Sequence, residues 1–169
     1  MKAFGTTAVV AIGLLLVASC GNESAQPGSD GVKVVPLTAA TLGDQEVLQT
    51  AEYLELAQFA DADRKNGARQ AQICKACHTF DEGAPHMIGP ALYGMFGSVA
   101  GKQAGYQYSA ALGETSFVWT PRALDAWLAQ PGRFLPGNKM TFGGVSKPSD
   151  RDSLIAYLLE ATSGGPNAE

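Results

Sequence analysis

The spacing of apolar and polar positions divides the chain before any motif is considered. From Ala8 to Ala18 runs an unbroken apolar stretch of 11 residues, preceded by Lys2. A comfortable transmembrane helix needs about 20, so the layout is that of a secretory leader, charged and then apolar. From Gly21 to about Gly43 small, polar and turn-forming residues take over, as in Gly21-Asn22-Glu23-Ser24-Ala25-Gln26-Pro27-Gly28-Ser29-Asp30-Gly31. This predicts a flexible tether with a root-mean-square reach of about 25–30 Å. Within it Val32-Lys33-Val34-Val35 has the composition of a short strand without an evident partner. From Asp44 the apolar residues Val47, Leu48, Ala51, Leu54 and Phe59 recur at three- and four-residue intervals. That period predicts an amphipathic helix over 44–60, capped by Asp44 and acidic through Glu46, Glu52 and Glu55.

Three further helices are predicted downstream. Asp61 or Asp63 caps one from Ala62 to Gln72. Another spans Pro121 to Gln130. The last opens at Ser149 or Asp150 and runs through Leu154, Ile155, Tyr157, Leu158 and Leu159. Gly67 stands inside the first of these, where glycine costs about 1 kcal/mol relative to alanine. A packing reason is therefore expected, and a close crossing by the last helix supplies it.

The apolar leader ends Val17-Ala18-Ser19-Cys20. This resembles the lipobox of bacterial lipoproteins: an aliphatic residue, two small ones, then a cysteine that becomes the mature N-terminus. The resemblance implies a signal peptide over 1–19, lipidation of Cys20 and a tether over 20–43, with the rest of the protein held on the periplasmic side of a bacterial membrane. Several acyl chains on one residue anchor firmly where a single chain is marginal. Gly21 is not the aspartate that resembles an inner-membrane retention signal, which leans toward the outer membrane and leaves the choice open. The competing reading is an uncleaved short anchor with an incidental cysteine.

Overall composition, with 46% hydrophobic and 17% charged residues, fits an ordinary globular chain. Charge changes the picture more. Residues 20–60 hold six acids (Glu23, Asp30, Asp44, Glu46, Glu52, Glu55) and one base, Lys33, whereas 61–162 hold nine acids and ten bases. The negative charge thus lies in the extension. No basic stripe or nucleic-acid motif is present, so nucleic acid is not an expected partner.

The chemistry concentrates in Cys74-Lys75-Ala76-Cys77-His78. Two cysteines three apart, followed directly by histidine, read as a c-type haem attachment site. On a helical turn the two sulfurs lie on one side, spaced to add to the two vinyl groups of the ring, and His78 is carried under the iron as proximal ligand. A zinc site would want four N or S ligands, and the remaining Cys and His are only Cys20 and His86. A thioredoxin-like pair would want a βαβ context that the pattern does not offer. With one haem taking Cys74 and Cys77, the third cysteine of an exported chain needs its own explanation, which lipidation of Cys20 provides. For the second axial position, His86 and Met87 follow His78 too closely to reach the opposite face, and Met95 sits in a Gly-flanked apolar stretch that reads as packing. Met140 follows a Pro136-Gly137-Asn138-Lys139 loop beyond the 121–130 helix, and is the expected sulfur ligand.

From about Asp63 to Thr162 the chain resembles a class I c-type cytochrome, the group that includes mitochondrial cytochrome c and its bacterial relatives. The resemblance rests on the attachment site and, in order, on Gly89-Pro90-Ala91-Leu92-Tyr93-Gly94, Gly105-Tyr106-Gln107-Tyr108-Ser109, Trp119, Pro136-Gly137-Asn138-Lys139-Met140-Thr141-Phe142 and Leu154-Ile155-Ala156-Tyr157-Leu158. It implies an all-α fold: a single cytochrome c domain over 61–163 wrapped around one covalent haem c, with the extra helix before it and a disordered tail over 164–169. It also implies roles. The Pro90 carbonyl accepts the other ring N–H of His78. Tyr108 and Trp119 donate to a buried haem propionate, with Asn138 where a threonine often does so. Leu92, Leu124, Leu128 and Phe142 line a dry pocket, and His86 holds an Ω-type loop.

Several positions depart from the family pattern. Ser98 stands where an arginine often pairs with a propionate, Trp127 where a tyrosine often reaches the ligand methionine, Leu112 where an asparagine helps hold a water, and Ala71 where an aromatic residue packs at the helix crossing. Ile73, Met87, Gly132 and Ser146 are uncharged at positions that often carry lysine, although Arg133, Lys139 and Lys147 remain. The function expected is one-electron transport by a carrier that is not an enzyme and has no small-molecule substrate. Its donor and acceptor are membrane redox complexes, and tethering replaces part of the electrostatic steering. Two alternatives stay open: a haem enzyme or gas sensor with an open sixth position, and a fixed cytochrome c subunit of an oxidase or reductase.

Overall fold

The computed structural model describes residues 36–163. The leader, Cys20, the Val32–Val35 stretch and the 164–169 tail lie outside the described residues. Among the described residues seven helices follow one another: α1 (Thr50–Glu55), α2 (Ala57–Ala60), α3 (Arg64–Lys75), α4 (Ala110–Gly113), α5 (Pro121–Ala129), α6 (Pro131–Phe134) and α7 (Pro148–Thr162). Among the described residues no strand forms. One isolated antiparallel bridge joins Val99 and Val118. The fold is all-α.

α7 is the axis. Leu154, Ile155, Ala156, Leu158 and Leu159 are all buried, and an α-helix apolar on most sides has neighbours on most sides. Those neighbours are α3, α5, α2 and α1. Pro148 occupies the first turn, where its missing N–H costs nothing, so the helix starts just ahead of Ser149. α3 begins at Arg64, with the Asp63 carboxylate accepting the Asn66 N–H at 2.9 Å. It runs on through Cys74 to Lys75, beyond the predicted Gln72, which puts the first attachment cysteine on its last turn.

The crossing of α3 and α7 explains Gly67. A Cβ there would lie 2.1 Å from the Ser153 carbonyl oxygen and 2.8 Å from the Tyr157 Cβ. Ala71, one turn further, is wholly buried. The small residue where an aromatic one was the usual occupant therefore belongs to a tight contact. Arg151 braces the opposite flank. It donates to Asp125 on α5 at 2.6 Å and to the Val145 and Ser146 carbonyls at 2.9 and 3.0 Å, tying the loop before α7 to both helices.

The extension is corrected in two respects. A continuous helix over 44–60 does not form. No helix forms over 42–49, Gln49 is extended, the helix begins at Thr50, and Leu56 interrupts it in a β conformation. Local side-chain bonds hold the backbone ahead of Thr50 out of the helix and cap its start. The Tyr53 hydroxyl accepts the Leu48 N–H (3.0 Å) and donates to the Glu46 carbonyl (3.1 Å), and Glu52 accepts the Gln49 N–H at 2.7 Å. Nor does the flexible tether reach Gly43. Leu42 is 2% exposed, the Ala39 N–H donates to the Phe134 carbonyl at 2.9 Å, and Arg122 donates to the Leu42 carbonyl at 2.8 Å. With Tyr53 and Phe59, Leu42 joins the main core.

Candidate functional site

One cavity of about 770 Å³ occupies the side of the domain reached by the end of α3, α5 and the long loops. Cys74, Cys77, His78, Pro90, Leu92, Tyr108, Trp119, Leu128, Asn138, Met140 and Phe142 all line it. Every site residue expected between 61 and 163 thus converges on one space, while Cys20 lies outside the described residues. Leu112, Leu124, Trp127, Ser98 and Met95 share the wall.

The attachment segment leaves α3 in a final tight turn. The N–H groups of Cys77 and His78 both donate to the Cys74 carbonyl, at 3.0 and 2.9 Å. The cysteines are both unpaired. Burial pushes the Cys74 thiol up to about 11, so in this apolar setting it rests protonated at neutral pH. Among the described residues no group of three or more His, Cys, Asp or Glu could hold a metal ion.

His78 is held by the loop facing it. Its Nδ1 lies 2.6 Å from the Pro90 carbonyl oxygen. A carbonyl only accepts, so Nδ1 carries the hydrogen and Nε2 keeps its lone pair. Burial pushes the imidazole below its usual range, opposed by the Pro90 hydrogen bond, which favours the charged ring. Gly89 fixes the ring from the side. A Cβ at this position would fall 2.2 Å from His78 Cε1, and the Gly89 N–H donates to the Cys77 carbonyl at 2.8 Å. That role was not anticipated, although a glycine directly before Pro90 in the motif was the signal that pointed to it.

His86 does different work. Its Nδ1 accepts the Ala91 N–H at 2.9 Å, so Nε2–H donates to the Ala104 carbonyl, also at 2.9 Å. The ring stands edge-on to Tyr106, whose hydroxyl donates to the Ile88 carbonyl at 2.6 Å. Both ring nitrogens are thus spent on closing the loop from 86 to 104.

On the Met140 side, the loop is built by Asn138. Its Nδ2 donates to the Pro131 and Leu135 carbonyls at 3.0 and 2.8 Å, and its Oδ1 accepts the Met140 N–H at 3.0 Å. Both amide hydrogens are committed to the loop. Asn138 therefore lines the cavity without a free donor for a propionate, and its observed part is to shape the turn that presents Met140. Ser98 spends its hydroxyl on the Met95 carbonyl at 2.7 Å. Lys139 lies over the Tyr106 ring and also reaches the Gln107 carbonyl. Burial raises Tyr108 above the usual phenol range, which keeps it a neutral donor.

The cavity fits a covalently held haem. Its wall is mostly apolar, with Leu92, Leu124, Leu128 and Phe142 among its residues. Two thiols stand on one helical turn at its edge, an imidazole nitrogen is free to bind a metal, and a thioether belongs to the same lining.

No protein-family model matches the chain. Individual relatives do. It is 41% identical over 110 residues to cytochrome c of Nigella damascena, covering 63% of this chain and 99% of the relative. It is 41% identical over 109 residues to cytochrome c2 of Agrobacterium tumefaciens (strain II Chrys), covering 63% and 98%. With cytochrome c of Chlamydomonas reinhardtii it shares 43% identity over 108 residues, 62% of this chain and 96% of the relative.

Proposed function

The chain belongs to the cytochrome c family, and from that premise we propose a membrane-tethered electron carrier with His78 and Met140 as axial ligands, held by lipidated Cys20 on the periplasmic side of a bacterial membrane. The coarser part of this reading is that of the family: a mono-haem electron carrier with one covalently attached haem c. When bound, the haem supplies a one-electron iron couple.

The observation that carries the ligand assignment is the convergence of Cys74, Cys77, His78 and Met140 on one apolar cavity. Cys74 and Cys77 would hold the ring by thioether bonds. Pro90 keeps the His78 tautomer that exposes Nε2, and Asn138 presents Met140. A thioether ligand favours ferrous iron and raises the potential. The leucines and aromatic residues of the wall exclude water and act in the same direction. His78 and Met140 would hold the iron from the protein, which would suit the site to passing electrons between membrane complexes, with no small-molecule substrate and no nucleic acid as partner.

Two measurements test the proposal. The ferric protein should show the weak far-red band of thioether–iron ligation. Met140→Leu should abolish it and lower the potential by more than tenfold in the one-electron equilibrium, about 59 mV. An unchanged spectrum in that variant would remove Met140 as ligand and favour the enzyme or sensor reading. For the anchor, mass spectrometry of the mature N-terminus should find an acylated Cys20. An intact leader or a bare thiol would reject the lipid tether.

A further inference from the structure

Gln45 lies in the N-terminal extension, outside the motif-bearing region, yet it reaches the cavity wall. Its Nε2 donates to the Val118 carbonyl at 3.0 Å, and its Oε1 accepts from the Thr120 hydroxyl. The orientation is determined. The Val118 carbonyl can only accept, and Thr120 Oγ1 lies 3.2 Å from the Ala123 N–H that it accepts as cap of α5, so its own proton goes to Gln45. One amide therefore brackets a single residue, Trp119, between its two neighbours.

Trp119 is held from the other edge as well. Its N–H donates to the Ser98 carbonyl and its carbonyl accepts the Gly97 N–H, both at 2.9 Å. The indole lines the cavity, edge-on to Phe117 at 4.9 Å and to Trp127 at 5.4 Å. Val47, two residues beyond Gln45, backs the same segment: a Cβ on Gly97 would sit 3.3 Å from its Cγ1. The backbone on which Trp119 rides is thus gripped by 97–98 on one side and by 45–47 on the other. The extension is itself secured through buried Leu42, whose carbonyl accepts from Arg122 at 2.8 Å.

We propose that Gln45 is a positioning residue for Trp119, so that the extension sets the indole against the haem and through it the reduction potential. The inference rests on the haem reading above and extends it to a residue outside the motif-bearing region. Trp119 gains weight because two neighbouring donors are spent, Ser98 on Met95 and Asn138 on its own loop, which leaves the indole to share the task with Tyr108. Releasing the Gln45 bracket leaves Trp119 held from the 97–98 side alone and loosens the set of its indole. A haem carboxylate that receives a weaker donor carries more effective negative charge beside the iron, which favours the ferric state. The expected shift is therefore downward.

The test compares the wild-type haem protein with Gln45→Met, which keeps the volume and removes both hydrogen bonds. The potential should fall by about threefold in the one-electron equilibrium, about 28 mV at 59 mV per decade. The Trp119 indole N–H resonance should move, and the far-red ligation band should be retained. Gln45→Asn, with its amide drawn back by one methylene, should do the same and serves if the methionine variant fails to assemble. A lowered melting temperature with an unmoved potential and indole resonance would make Gln45 a packing residue and overturn the inference. A wild-type protein without haem bands would instead overturn the function proposed above.

Discussion

At the α3–α7 crossing backbone meets backbone, with Gly67 and Ala71 clearing the way for Ser153 and Tyr157. Between Lys75 and Ala110, by contrast, no helix forms. That stretch is held by long-range polar contacts such as His78 to Pro90, His86 to Ala104 and Tyr106 to Ile88. The first region is completed by protein alone. The second is half a wall, apolar toward a cavity that protein does not fill. The difference teaches where each half obtains its stability: shape complementarity in one, the cofactor's apolar surface in the other, since buried area is what drives packing.

The sharpest way to break this contrast is Cys74→Ala with Cys77→Ala. Haem should separate from the chain on denaturing electrophoresis. Amide hydrogen exchange should show protection lost first over 79–109 while α7 keeps its own. Equal loss in both regions would mean that the pocket side needs no cofactor to order it. Gly67→Ala attacks the other half. The new methyl gains helix propensity but meets the Ser153 carbonyl, a backbone atom that cannot swing aside. Net destabilisation of about 1–3 kcal/mol is expected for such overpacking, read by denaturant unfolding, with the haem spectrum unchanged.

The smallest effect is at the start of α3. The Asn66 and Lys65 N–H groups hold Asp63 below its ordinary value of 3.8. A carboxyl lowered in the folded state adds stability that is present above 3.8 and is lost as pH falls through the folded value. Asp63→Asn keeps an acceptor for the cap and removes the titration. The melting temperature of this variant should be flatter between about pH 2 and 5. A wild-type curve equally flat there would show that the cap carries no charge-dependent part.

How far the sequence disclosed this molecule follows from the range of the interactions. α3, α5 and α7 were legible because caps, periodicity and a costly mid-helix glycine act over a few residues. The cavity lining was legible because its motifs carry a fixed chemistry. The 44–60 segment was not. Its period was helical, but Tyr53 turned its hydroxyl onto the Glu46–Leu48 backbone, and Gln45 found partners 73 and 75 residues away. Asn138 lines the cavity, yet its amide goes to loop carbonyls, a choice that depends on where Pro131 and Leu135 come to lie.

The buried Leu42, Tyr53 and Phe59 bear on where this protein begins as a physical object. Its likeness to relatives covers 110 residues in the longest of the three matches described, fewer than the stretch from 36 to 163. A fragment started at the attachment helix, at Arg64, would keep every residue that lines the cavity and would still expose a raw apolar flank on α7, where α1 and α2 pack. Ancestry and foldability draw different borders here. The folded core includes Leu42, Tyr53 and Phe59 of the extension as fully as it includes the helices around the cavity.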